Sequence, residues 1–290
     1  MSGRIHNLQL AALALLLASG FPGNAGGADA ARIGDALPTP AELLTNLLAR
    51  AAVASTQGYR TQFTFTKKRT TEELDSKGRI TEKQESIFEV VPVNGRLFSR
   101  LVSENDKPAT ARQRKAEEER ERKLRAAAPP EPGAAKASAN PRREFTVTPE
   151  LFERFTFATT GREQVNGRDA WVLAFEPRSA DLPVKKTADR ITNKVAGRVW
   201  IDAADHEIAR AEIRLTGRVE IVGGIIASLK RFDLLLEQRR LDGGAWVNTL
   251  TEANIEARQL VMNKRVRFAE KSGDFKKVTA SESPAAAPVK

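Results

Sequence analysis

The 290-residue chain contains no cysteine. That single absence excludes disulfides, thiol catalysis, cysteine-held metals and a lipidated N-terminal cysteine. Histidine is nearly as scarce: His6 lies in the N-terminal segment, and His206 is the other. A nucleophile–base pair would have to use His206, in "DAADHE", on a turn where nothing excludes water. Asp202, Asp205, His206 and Glu207 are the residue types of a hard-metal site. Placed between two alternating strands, they read first as a hairpin turn with Asp as turn former. No G-x-S-x-G, H-E-x-x-H, P-loop or dinucleotide fingerprint occurs. Carboxylates are plentiful, yet no spacing singles out an acid pair. The sequence therefore predicts no enzyme, no cofactor and no metal.

Long apolar runs are missing except at the N-terminus. There, Arg4 precedes "LQLAALALLLASG" (Leu8–Gly20), and "ADA" follows at Ala28–Ala30. This is the order of a secretory signal, residues 1–30, cleaved near Ala30. The run is shorter than the about 20 residues that span a membrane. The expectation is a soluble exported chain in the bacterial periplasm, where a domain of this size does not need disulfides.

The formal charge is +10. The basic residues are dispersed, as in Lys67-Lys68, Lys185-Lys186, Arg239-Arg240, Lys264-Arg265 and Lys276-Lys277. No nucleic-acid motif accompanies them, and export argues against nucleic acid as a partner. Attraction to an anionic membrane surface or an acidic envelope polymer is one reading; plain solubility charge is the other.

What the chain does have is strands. "ARAEIRLTGRVEI" (209–221) puts Ala209, Ala211, Ile213, Leu215, Val219 and Ile221 on one face and charged residues on the other. Before the strands, Thr39–Gln57 reads as an amphipathic helix with Leu43, Leu44, Leu47 and Leu48 in its stripe, capped by Thr39 with Pro40 in the first turn. Residues 31–106 hold that helix and the first strands, including a hairpin at Asn94-Gly95. Residues 107–143 interrupt them. Lys107–Ala128 is charged nearly all round and predicts a solvated, projecting helix, and Pro129–Pro141 a flexible linker, the insert joining neighbouring strands. Residues 144–279 return to strands: a short helix from Pro149 and then a strand, a hairpin at Asn166-Gly167, a polar loop or lid at Val184–Val195, "GRVWID", the 209–221 stretch, a glycine-broken connection at Val222–Leu229, and three or four more strands. The tail, 280–290, reads as disordered. About ten strands with few helices make the fold mainly β (α+β), an antiparallel sheet curved around a core.

The order of signal, amphipathic helix and strand at Gly58-Tyr59, with "V-N-G-R-x-A-W-V-L" and "G-R-V-W-I-D-x-x-D-x-x-I-A-R", resembles the superfamily of LolA and LolB, the periplasmic lipoprotein carriers and receptors. The sensory domain of RseB is similar. Glu73–Gly78, Phe88–Arg96 and Arg100–Pro108 resemble uncharacterised exported bacterial members still more. The resemblance covers most of residues 40–278 and implies a curved antiparallel half-barrel whose helix-covered concave face accepts a lipid acyl chain or a lipoprotein. The charged insert departs from that pattern, and this chain cannot carry a receptor's lipidated N-terminus. Under the resemblance, Phe63, Phe65, Trp171, Leu173, Phe175, Ile213, Leu215, Leu234 and Leu236 line the cavity. Alternation alone reads the same residues as a filled core. Two functions stay open: a periplasmic carrier or binding protein, and a non-transporting envelope interaction protein such as a stress sensor or scaffold.

Overall fold

The computed structural model describes residues 37–57, 62–128, 152–179, 181–185, 187–221, 227–259 and 262–278. The expected signal peptide, Tyr59–Thr61, the Pro129–Pro141 linker, a short helix from Pro149, residues 222–226 and the tail lie outside them.

Helix α1 (Pro40–Gln57) starts as its sequence requires. The Glu42 N–H donates to Thr39 Oγ1 at 3.3 Å, and the Thr39 N–H donates to the Glu42 carboxylate at 2.8 Å. This reciprocal capping box holds the helix start. The same Thr39 N–H and hydroxyl hold the Glu42 carboxyl below the usual range. Leu43 and Leu47 face inward and are buried.

The strands are β1 (Phe63–Leu74), β2 (Ile80–Val93), β3 (Arg96–Glu104), β4 (Lys107–Pro108), β5 (Phe155–Val165), β6 (Arg168–Pro177), β7 (Val195–Asp202), β8 (Ile208–Leu215), β9 (Val219–Ile221), β10 (Ala227–Arg240), β11 (Trp246–Gln259) and β12 (Met262–Lys277). They form one curved antiparallel sheet, open at both ends, in the order β4-β3-β2-β1-β12-β11-β10-β8-β7-β6-β5, with β9 beside β10. The fold is mainly β, as expected. Twelve strands rather than about ten arise because β4 and β9, two and three residues long, are too short to show periodicity. The two Asn-Gly hairpins form where read. Asn94 and Gly95 have φ of 48° and 71°, and Asn166 and Gly167 have 51° and 75°, the doubly positive pair that a tight hairpin turn needs.

Three expectations change. The stretch 209–221 is two strands, because Thr216, Gly217 and Arg218 break the pairing; both pieces pair with β10. A register shift between β7 and β8 also takes Ala209 out of the apolar row and into a second cluster with Val172, Trp200 and Trp246. The polar stretch 184–195 holds helix α3 (Thr187–Thr192), whose Ile191 is buried against the main core.

The third change concerns helix α2 (Ala111–Ala126), which does not project. It lies on β2 and β3 through polar contacts. Thr110 and Gln113 form its capping box, and the Asn94 side chain donates to the Leu124 and Ala127 carbonyls at its end. Glu117 accepts from the Leu101 N–H at 2.7 Å, and Arg120 lies over the Phe98 ring. Glu121 is buried and takes Arg100 at 2.9 Å and Arg125 at 2.5 Å. A helix without an apolar stripe thus covers a sheet edge by hydrogen bonds, which periodicity does not report. Nor does the insert join neighbours: β4 and β5 are the opposite edges of the sheet.

Burial opposes ionisation of Glu121, but hydrogen bonds from Arg100 and Arg125 outweigh it and hold the carboxyl below the usual range. A depressed folded pKa contributes stability above the ordinary glutamate value of about 4.3, lost as pH falls through the folded value. Glu121→Gln is expected to lower hydrogen-exchange protection of α2 severalfold at neutral pH, leaving β10 and β11 unchanged. The acid-dependent loss of α2 protection should also be smaller in the variant. Unchanged α2 protection would show that the helix is held without this pair.

Candidate functional site

Successive strand residues point to opposite faces, so cross-strand partners share one. One row runs Phe157, Phe175, Gly197, Ile213, Leu234 and Ala253 across six strands. The row beside it runs Thr159, Leu173, Val199, Ala211, Leu236 and Thr251. Their apolar side chains form the concave face, and α1 lies over it.

Between α1 and this face is an apolar cavity of about 100 Å³. Leu44 and Leu47 form its helical wall, and Leu173, Phe175, Ile213, Leu234 and Leu236 are in its sheet wall. Trp171 and Leu215 pack in the same core without lining the cavity. Phe63 and Phe65 lie apart from it: Phe63 is buried at the start of β1, and Phe65 rests on Phe275 with ring centroids 5.1 Å apart. The sequence reading missed Phe152, Phe155 and Phe157, which stack edge to face beside Phe175, and Ile191 and Ala211. The Phe155–Phe157 alternation and the stripe of α1 carried that signal; a lone Ile in "TADRIT" carried none.

Two of the contacts that help its leucines hold α1 in place lie at its two ends. Thr159 Oγ1 donates to the Pro38 carbonyl at 2.8 Å. At the other end, Arg50 Nε reaches Glu207 Oε1 at 2.8 Å, and Glu207 is 2 % exposed. The acidic turn after β7 is thereby explained. Asp202 takes Arg168 at 2.6 and 2.8 Å and accepts from the Ala204 and Asp205 N–H groups. Hydrogen bonding to Asp202 raises the Arg168 pKa further. Asp205 takes Arg240 and the Trp246 Nε1–H. Among the described residues no group of three or more His, Asp or Glu side chains is placed to hold a metal ion.

A larger hollow, about 860 Å³ and open to solvent, lies on the other face of the same strands. Charged side chains line it, among them Arg198 paired to Glu212, and Asp233. Burial opposes ionisation of Glu212, but Arg198 and Arg210 outweigh it and lower its pKa. Phe157, Phe175, Ile213 and Leu234 touch both hollows, so the sheet alone separates them.

An open antiparallel half-barrel with a helix over an apolar concave face defines the class: a sheet that encloses a hydrophobic space. Among solved structures, the chain is similar to a domain from Vibrio parahaemolyticus classed with the outer membrane lipoprotein-sorting proteins, at 12 % identity over 83 % of this chain and 94 % of that one, with a TM-score of 0.34. It is similar to a LolA superfamily protein from Nitrosomonas europaea, at 9 % identity over 84 % and 95 % of the two chains, TM-score 0.29. It is also similar to a chain of the Pseudomonas aeruginosa MucA/MucB complex, at 12 % identity over 82 % and 100 %, TM-score 0.25. No protein-family model matches the sequence, and no curated protein is similar to it.

Proposed function

We propose that the protein is a periplasmic binding protein that takes an acyl chain, of a lipid or a lipidated protein, between α1 and the concave face. The observation that supports this is the apolar cavity walled by Leu44, Leu47, Leu173 and Leu236. At about 100 Å³ it is smaller than the roughly 300–1,000 Å³ of most small-molecule sites. A whole chain therefore enters only as α1 moves outward, away from Leu173, Ile213 and Leu236. The contacts that hold the helix that must move include its leucines, the Thr159–Pro38 hydrogen bond and the Arg50–Glu207 pair. The N-terminal apolar run supplies export.

Ala211 is the small residue of the wall and tests the reading. Ala211→Leu fills empty space, so it should abolish saturable, fatty-acid-displaceable uptake of a hydrophobic fluorophore. Stability should hold or rise by about 0.5–2 kcal/mol, as for other cavity-filling changes. A wild-type chain without saturable uptake would remove the binding reading and leave the non-transporting interaction protein in its place.

A further inference from the structure

The second concave row does not stop at Thr251. It continues through Glu270 on β12, Arg69 on β1 and Ser86 on β2. Its character changes on the way: apolar from Leu173 to Leu236, then hydroxyl and charge. Lys67 lies one concave position along β1 from Arg69, opposite Ser272 and Phe88. Lys67 Nζ reaches Ser99 Oγ at 3.4 Å and Glu270 at 3.8 Å. These charges are on the inward face and are mostly covered. The side chains of Lys67, Arg69 and Glu270 are 15 %, 23 % and 14 % exposed.

Lys67 and Arg69 both reach the one Glu270 carboxylate here, in a partly desolvated place. Charges taken out of water need partners. Arg69 donates from Nε at 3.0 Å and from Nη2 at 2.7 Å, both to Glu270 Oε2. Among the described residues its Nη1 donates to nothing. The guanidinium lies 5.2 Å from the Phe88 ring and 5.8 Å from the Phe268 ring, which fix its plane. Phe268 belongs to the same core cluster as Leu234 and Leu236. A fixed guanidinium with an open donor, a neighbouring ammonium and serine hydroxyls matches the chemistry of a phosphate.

We propose that Arg69, with Lys67, Ser86, Ser99 and Ser272, binds the phosphate head of the lipid whose chain occupies the cavity. The inference rests on the acyl-chain reading above. Leu236 and Arg69 are three strand spacings apart, about 14 Å across the sheet, within the length of one extended acyl chain. The ligand class is thereby narrowed to long-chain phosphate mono- or diesters, with the head at β1 and the tail under α1.

The experiment displaces a hydrophobic fluorophore from the full chain with phosphatidic acid, and with diacylglycerol of the same chains. Wild type should favour phosphatidic acid by about tenfold or more, the size of a hydrogen bond to a charged group. Arg69→Gln should remove that preference and leave diacylglycerol unaffected. Glu270→Gln, which takes away the competing carboxylate, should strengthen phosphatidic acid severalfold. Lys67→Gln, with a melting curve, serves if Arg69→Gln does not fold. Equal binding of the two lipids, or a preference that survives Arg69→Gln, overturns the head-group site while the acyl reading stands. Binding of inorganic phosphate alone, lost in Arg69→Gln, shows a free-phosphate site and overturns the lipid assignment. Binding of neither lipid removes the acyl reading itself.

Discussion

Gly197→Ala is expected to destabilise the protein by about 3 kcal/mol or more, at or beyond the upper end of the overpacking range. A Cβ built at Gly197 would lie 2.0 Å from the Glu212 carbonyl oxygen and 3.1 Å from the Ile213 Cα. Those are backbone atoms of β8, the strand to which β7 is paired, and they cannot turn aside as a side chain can. Gly197 sits in the row between Phe175 and Ile213, where the sheet separates the two hollows. The missing side chain is what lets β8 come so close to β7 there. Gly161, at a register shift in β5, is the control: a Cβ there meets nothing within 4 Å. Gly161→Ala should be neutral or stabilise by about 0.4–1 kcal/mol, by restricting the unfolded chain. Urea unfolding of both variants decides it; equal midpoints would show that β7 and β8 can part without cost.

The second large effect is expected at Arg50. Removing one partner of a buried ion pair typically costs about 3–5 kcal/mol, because the other charge stays buried. Glu207 is 2 % exposed and Arg50 13 %, so solvent screens this pair little. Arg50→Met should therefore lower the melting temperature and raise the rate of fluorophore uptake, since the end of α1 loses its tie to the β7–β8 turn. Arg50→Met combined with Glu207→Leu should regain most of the stability, because the buried carboxylate is gone. A double variant as unstable as the single one would mean that Glu207 is held by its other surroundings rather than by Arg50.

The parts of the fold that were legible in the sequence are those with local causes. Thr39, Pro40 and Glu42 announce α1, and Asn94-Gly95 and Asn166-Gly167 announce their hairpins, because capping and turn geometry involve only adjacent residues. Five of the nine residues expected in the cavity wall line it, since Leu173, Phe175, Ile213, Leu234 and Leu236 alternate cleanly within single strands. Phe63 and Phe65 alternate just as cleanly and lie elsewhere. Alternation assigns a face and not a place along the sheet, and β1 is several strands away from the cavity. Helix α2 was misjudged because its hold on β3 comes from Glu117, Arg120 and Glu121, residues that patterning counts as solvated. The Arg69 row was invisible because it depends on the register of β1 with β12, a pairing between the two ends of the chain.

That same pairing sets the order in which the molecule can be built. Phe63 meets Lys277, and Leu74 meets Arg265, so the first strand cannot find its second neighbour until β12 has been delivered. Strands β1 to β4 can assemble as a meander, and β5 to β12 as a longer one, each by short steps. Joining them closes a loop of nearly the full length of the fold, and contacts so distant in sequence form late and slowly. Until then β1 and β12 each present an unpaired edge, the kind of surface that seeds misassembly. The junction in the middle of the finished sheet is thus the last to form, and the interval before it closes is when the chain is most exposed to aggregation.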